Sequence, residues 1–199
     1  MTYQRLTFLA CVFGLILALA ACTTPSPSPL QEEVFISPDL RFELPPWAKP
    51  ERPVEAAQVL TGRFGDKSFS FQARLSLNEQ RLKVVGLDPL GRRVIDILWD
   101  SHGVTATRAA WAPEGLRAKN VLADIVIAYW PGEIVESALI GEEPLVSDVV
   151  GRRELSSKSG DAVVVSYTTD RLQAWNQLVK LSNVAFDYEL TIRSSEIKP

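Results

Sequence analysis

The chain has 199 residues, 46% hydrophobic and 23% charged, with 21 Lys and Arg against 24 Asp and Glu, a formal net charge of −3. That balance excludes the basic footprint of a nucleic-acid binder and the polybasic patch that holds a protein on anionic lipid by charge alone. One histidine and two cysteines leave few ligands for metal or thiol chemistry.

Residues 1–21 read as a signal segment. Arg5 supplies the positive n-region, and Leu6 to Ala21 is an almost purely apolar run, of signal length and short for a membrane span. The run ends in Leu19-Ala20-Ala21-Cys22, small residues before a cysteine. It resembles the lipobox of bacterial lipoproteins, in which the cysteine is acylated and becomes the new N-terminus. The alternative is an ordinary signal peptide with an incidental cysteine. Thr23 stands where an aspartate favours inner-membrane retention in enterobacterial lipoproteins, so the resemblance implies the outer membrane, facing the periplasm. Cys11 lies inside the signal and Cys22 at its end, so the mature chain has no disulfide to form. Arg5 is the only charge in residues 1–21, so the mature chain carries 20 basic against 24 acidic side chains.

Thr23 to Pro29, TTPSPSP, has nothing to bury and reads as a linker. Pro-rich character continues to Pro53, so residues 22–53 are expected to be a lipidated cysteine and tether, with 30–53 lying partly along the domain. The remainder, 54–199, is long enough for one domain with its own core. Glu55 to Phe64 opens it as a helical turn or first strand, and Gly65-Asp66 turns the chain. A meander of strands fills residues 68–109. Phe69, Phe71, Ala73, Leu75 and Leu77 alternate with polar residues; Leu82 and Val84, then Ile95, Ile97 and Trp99, continue the apolar face. Asn78-Glu79-Gln80, Asp88-Pro89-Leu90-Gly91 and Asp100-Ser101-His102-Gly103 are the turns.

After Pro113 the period changes. Lys119 to Trp130 fits a helix with Asn120 as its cap and only Asp124 polar within it. A helix apolar nearly all round is buried or faces something apolar on its second side. Pro131 suits the first position of a second helix that ends before Gly141, and this pair is the expected cover of the sheet. Strand patterns return from Val149. One hairpin turns at Lys158–Asp161; a last one turns at Ser182-Asn183, with Phe186, Tyr188, Leu190 and Ile192 on one face. The fold class is therefore mainly β (α+β): a strongly curved antiparallel sheet with helices on its concave side.

Catalytic constellations are missing. His102 sits in a turn without a placed partner, no Gly-x-Ser-x-Gly elbow exists, and no His, Cys and carboxylate cluster has metal spacing. Glu142-Glu143 and Arg152-Arg153 read as solvated edges. The expectation is a non-enzyme with no cofactor and no metal. Trp99, Trp111, Trp130 and Trp175 read as core or as lining of an apolar cavity.

Lipobox, Pro-rich tether, meander with a Pro-Leu-Gly turn, apolar helix pair and two closing hairpins together resemble LolB. That is the outer-membrane receptor that accepts lipoproteins from the periplasmic carrier LolA. The core RLKVVGLDPLGRR…LWD followed by LADIVIAYWP is also similar to a family of proteobacterial lipoproteins of LolB-like layout, often associated with aryl-polyene or fatty-acid-type synthesis clusters. The resemblance implies an incomplete β-barrel, lidded by helices, with a cavity for acyl chains. Phe69, Phe71, Leu75 and Trp99 of the sheet and Leu122, Val126, Tyr129 and Trp130 of the helix are the residues that would line it. In LolB a leucine projecting from an Asn-Pro-Leu-Gly turn serves lipoprotein delivery; Leu90 takes that place here, on a membrane-facing loop. The implied partners are the outer membrane, through lipid on Cys22, and a periplasmic lipoprotein carrier or lipid cargo, with the protein a monomer. Each CH₂ brought into water costs about 0.8 kcal/mol, so a cargo chain needs shelter. Two other functions stay open: a non-catalytic scaffold of the cell envelope whose interior its own side chains fill, and a lipid-modifying hydrolase.

Overall fold

The computed structural model describes residues 33–47 and 49–197; residues 1–21, expected as a signal segment, Cys22 and the expected TTPSPSP linker lie outside them. Long strands dominate. β3 (Val54–Phe64) and β4 (Lys67–Leu77) form an eleven-residue hairpin with Val54 opposite Leu77 and Phe64 opposite Lys67. Its two-residue turn places Gly65 at φ 54°, the left-handed backbone such turns need. β5 (Arg81–Leu87), β6 (Arg93–Asp100) and β7 (Gly103–Arg108) complete the meander. The period-two pattern places Ala73, Leu75 and Leu77 buried on one face, as are Leu82, Val84, Ile95, Ile97 and Trp99; Val94, at the start of β6, is buried in the opposite phase.

The second half of the sheet is built from β9 (Leu145–Val149), β10 (Arg152–Ser157), β11 (Gly160–Tyr167), β12 (Leu178–Asn183) and β13 (Tyr188–Glu196). β13 returns to pair with β3, with Tyr188 opposite Phe64 and Glu196 opposite Ala56. The result is one ten-stranded sheet in the order β7-β6-β5-β4-β3-β13-β12-β11-β10-β9. All its pairings are antiparallel and β7 and β9 remain as edges. An antiparallel sheet of this width wrapped about a buried helix and left open is an incomplete barrel, the fold class expected from the sequence.

The helix is α1 (Ala118–Tyr129), with Leu122, Ala123 and Ile125 to Tyr129 all buried. Arg117, not Asn120, occupies its N-cap position, and its side chain makes no capping hydrogen bond. The second helix, α2 (Gly132–Ser137), has only six residues, with Pro131 at its N-cap position. Leu139–Gly141, expected as the end of that helix, is a short strand, β8. It joins β1 (Val34–Ser37) and β2 (Leu40–Phe42) in a separate three-stranded sheet. The cover of the large sheet is thus α1 plus this small sheet rather than a helix pair. Val34, Ile36, Leu40 and Phe42 are buried in the same core as α1. The packed unit accordingly takes in residues that the sequence assigns to the tether.

The last hairpin also departs from expectation. Its turn spans 184–187, after Asn183, so Phe186 lies in the turn and not on the face of Tyr188, Leu190 and Ile192. Residues 171–176, ahead of β12, form a 3₁₀ turn whose N-cap Asp170 accepts from the Gln173 N–H.

Candidate functional site

The concave face of the sheet divides into a filled part and an open part. Under α1 the protein's own side chains fill the space. Leu75, Trp99, Leu122, Val126, Tyr129 and Trp130, six of the eight residues marked for an acyl cavity, are all buried. Trp99 meets Trp47 edge-on at 5.0 Å between ring centroids and Trp130 at 5.9 Å. Such aromatic packing removes large areas from water. Tyr129 stacks on Trp175 at 3.9 Å. Beside that pair lies a cleft, bordered by Pro131, Arg171 and Leu172, of about 40 Å³. Small-molecule sites run to ~300–1,000 Å³, so this cleft has room for water and not for an acyl chain.

Side chains from the second half of the sheet hold the C-terminal end of α1. Arg153 has no exposed side-chain surface and donates to the Ile127 carbonyl at 2.6 Å and the Trp130 carbonyl at 2.8 Å. Its other nitrogens grip Asp148 at 2.6 and 2.7 Å. The Tyr167 hydroxyl donates to the Ala128 carbonyl at 2.8 Å, and Arg171 to that of Tyr129 at 3.0 Å. The carbonyls at the end of a helix have no partner within it and carry its negative dipole end, so two guanidinium groups and a phenol are complementary there. Burial pushes the Tyr167 hydroxyl up to about 12, which keeps it a donor at any working pH. Arg153 corrects the reading of Arg152-Arg153 as a solvated edge. It shares the inward phase of Leu155 on β10, and that parity was the available signal.

A buried polar cluster sits nearby. The Gln58 amide nitrogen donates to the Tyr129 hydroxyl at 2.9 Å and to Ser194 Oγ at 2.8 Å. Burial raises the Tyr129 hydroxyl well above the usual tyrosine range. Gln58 alternates in phase with buried Ala56 on β3, so periodicity alone places it inside.

The open part lies toward the β3–β4 turn. Phe69 and Phe71, the other two residues marked for the cavity, are half-buried there with Leu60 and Tyr188. Their rings are neighbours: Phe69 lies 5.7 Å from Phe71 and stacks on Tyr188 at 6.4 Å. Gly62 leaves room for the Phe69 ring, which a Cβ at that position would strike. The Tyr188 hydroxyl donates to Asp124 Oδ2 at 2.9 Å, tying α1 to this aromatic group. Desolvation raises the Asp124 carboxyl to about 7 against a partial lowering by that hydrogen bond. Desolvation, and then the Asp124 carboxyl beside it, hold the Tyr188 hydroxyl in its protonated form.

The turn that carries Leu90 is built by Asp88. The Gly91 N–H donates to the Asp88 carbonyl at 2.9 Å, and Asp88 Oδ1 accepts from the N–H groups of Leu90 and Arg92 at 3.0 and 2.8 Å. Burial would raise the Asp88 carboxyl, but these bonds and the Arg92 guanidinium outweigh it and lower it below the ordinary range. Leu90 projects from the tip with 79% of its surface exposed. Arg92 lies over the Trp111 ring at 4.3 Å. His102 is solvated, and the described residues contain no group of three or more His, Cys, Asp or Glu side chains placed to hold a metal ion.

No curated protein matches the chain. Among solved structures that match is a LolA superfamily protein from Nitrosomonas europaea, 8% identical, covering 75% of this chain and 88% of that one with a TM-score of 0.44. Residues 55–196 match the model of a family described as proteins of unknown function, DUF3261, and the chain belongs to that family.

Proposed function

We propose that this is a lipid-anchored protein of the outer membrane, facing the periplasm, that shelters acyl chains on the concave face of its half-barrel and assists their transfer. The observation that carries the reading is the uncovered aromatic group of Phe69, Phe71 and Tyr188 with Leu60. These residues face inward on a sheet whose remaining concave face is filled. An apolar surface already half open to water gains by covering a methylene chain, whereas a packed interior gains nothing by exchanging its side chains for one. No covalent step is required: a chain moves between two apolar environments. Cys22 supplies the anchor and Leu90 a tip that reaches the receiving bilayer.

The filled space under α1 favours a second reading, a non-catalytic envelope scaffold. A fluorescent fatty-acid probe separates the two. The purified protein is expected to take up the probe with a blue shift, and Phe71→Glu, at a half-exposed position, to abolish uptake while the circular dichroism spectrum is retained. A folded wild-type protein that takes up no probe supports the scaffold.

A further inference from the structure

Alternate turns of an antiparallel meander lie at the same end of the sheet. The β3–β4 turn, the β5–β6 turn and the segment leaving β7 are therefore neighbours along one rim, and Tyr188 opposite Phe64 adds the β12–β13 turn to it. Each of these positions presents a large apolar side chain to water. Phe64 is 58% exposed at the first, Leu90 is the tip of the second, Trp111 is 51% exposed after β7, and Val184 and Phe186 lie on the fourth. Among the described residues, the turns at the opposite end expose Val149, Val150 and Leu172 but no Phe, Tyr or Trp. Scattered apolar residues on a surface need no explanation; a row of them on consecutive turns, three of them aromatic, does.

We infer that this rim is a membrane-docking surface that seats the mouth of the half-barrel on a lipid bilayer. The chemistry suits the headgroup boundary. Trp and Phe rings settle there, and aliphatic tips enter the acyl region. The Arg92 guanidinium, paired with Asp88, lies over the Trp111 indole as a cation–π contact and holds that ring beside the Leu90 turn. The point at which the tether meets the domain agrees. Asn183, the residue before the β12–β13 turn, donates to the Ile36 carbonyl at 2.9 Å. Glu33 is three residues away, about 10 Å along a strand. Ten residues separate Cys22 from Glu33, a reach of at most about 35 Å. A lipid on Cys22 thus leaves this end of the domain within tether reach of the bilayer, and on that one point the inference rests on the anchorage proposed above. The rim also frames the open group of Phe69, Phe71 and Tyr188, so a chain leaving the bilayer meets those rings first.

The test reconstitutes the full chain into vesicles of phosphatidylethanolamine and phosphatidylglycerol with brominated acyl chains and reads tryptophan fluorescence. Trp111 is the exposed tryptophan, the other four being buried or half-buried. Wild type is expected to lose intensity against unbrominated vesicles, and Trp111→Phe to lose none. Phe64→Ser with Val184→Ser, away from the fluorophore, is expected to reduce the quenching of Trp111. Equal quenching of wild type and Trp111→Phe, or no quenching while the protein floats with the vesicles, overturns the rim. Failure of wild type to float overturns it too. Probe uptake in solution is a separate measurement: quenching without uptake keeps the rim and removes the acyl-binding function, and uptake without quenching does the reverse.

Discussion

Asp124→Asn tests the account of the concave face most directly. Asp124 is the one acidic residue inside α1, and its carboxyl is raised from 3.8 to about 7 by desolvation. The folded protein therefore holds that proton more tightly than the unfolded chain. The resulting stability is fully present below about pH 4, is lost progressively as pH rises to about 7, and stays lost above it. Three units at about 1.4 kcal/mol each give a ceiling of ~4 kcal/mol. The residue as a whole is only half-buried, so a carboxylate that turns toward water would relieve part of that cost. Asparagine cannot ionise and still offers an oxygen to the Tyr188 hydroxyl. Urea unfolding followed by tryptophan fluorescence at pH 4.5, 6 and 8 is the assay. Wild type should weaken across the series and the variant should not, so that the variant is the more stable protein at pH 8. Asp88 and Asp187, whose carboxyls are lowered by arginine partners and hydrogen bonds, act with the opposite sign but below about pH 4, outside this window. A wild-type midpoint that stays flat from pH 4.5 to 8 would refute the reasoning.

Three further outcomes follow from the same structure. Arg153→Met leaves two helix carbonyls and Asp148 without their donor and should cost ~3–5 kcal/mol; Tyr167→Phe, which removes one bond to the same helix end, should cost about 1 kcal/mol in the same urea titration. Leu90→Glu should change stability by no more than about 0.5 kcal/mol, as for most surface positions, and should impair release of bound probe into liposomes; a large loss would place Leu90 in the core. Cys22→Ser should yield a soluble or uncleaved precursor, whereas wild type should fractionate with outer membranes, and a wild-type protein free in the periplasm with an unmodified N-terminus would end the lipoprotein reading.

Legibility in the sequence tracked how local the deciding interaction is. β4 alternates strictly, and a half-buried strand needs only its own pattern to be recognised; β5 and β6 keep an inward phase but also carry Val85, Val94 and Leu98 outside it. β1 and β2 were hidden because Pro29, Pro38 and Pro45-Pro46 surround them and suppress a strand reading, although Val34, Ile36, Leu40 and Phe42 already carried the apolar side chains. Leu139–Gly141 reads equally as helix end or strand, since three residues hold no period; pairing with β2 decides it. Arg153 was misread because charge argues for the surface. Its compensation comes from Asp148 on the neighbouring strand and from carbonyls more than twenty residues away, which no local pattern announces. The aromatic mouth shows the same limit. Each of Phe69, Phe71 and Tyr188 was legible as inward-facing, but where α1 stops covering the sheet is a matter of tertiary packing.

On the acyl-binding function proposed above, the helix clasp decides where a chain would enter. Freeing the C-terminal end of α1 would strip donors from four carbonyls and leave the Arg153 guanidinium buried with fewer partners. Lost hydrogen bonds to charged groups count ~1.5–3 kcal/mol each, so the cost approaches the whole stability of a domain of ordinary size. At the N-terminal end Arg117 makes no side-chain cap, and Asp124, midway along α1, ties the helix to the aromatic group through Tyr188. An acyl chain gains about 0.8 kcal/mol for each CH₂ it buries, but displacing an equal area of packed side chain returns the same amount. Net gain is available only where side chains are already half exposed. Both terms point to the end of the barrel that holds Phe69 and Phe71, the end whose turns carry Phe64, Leu90 and Trp111.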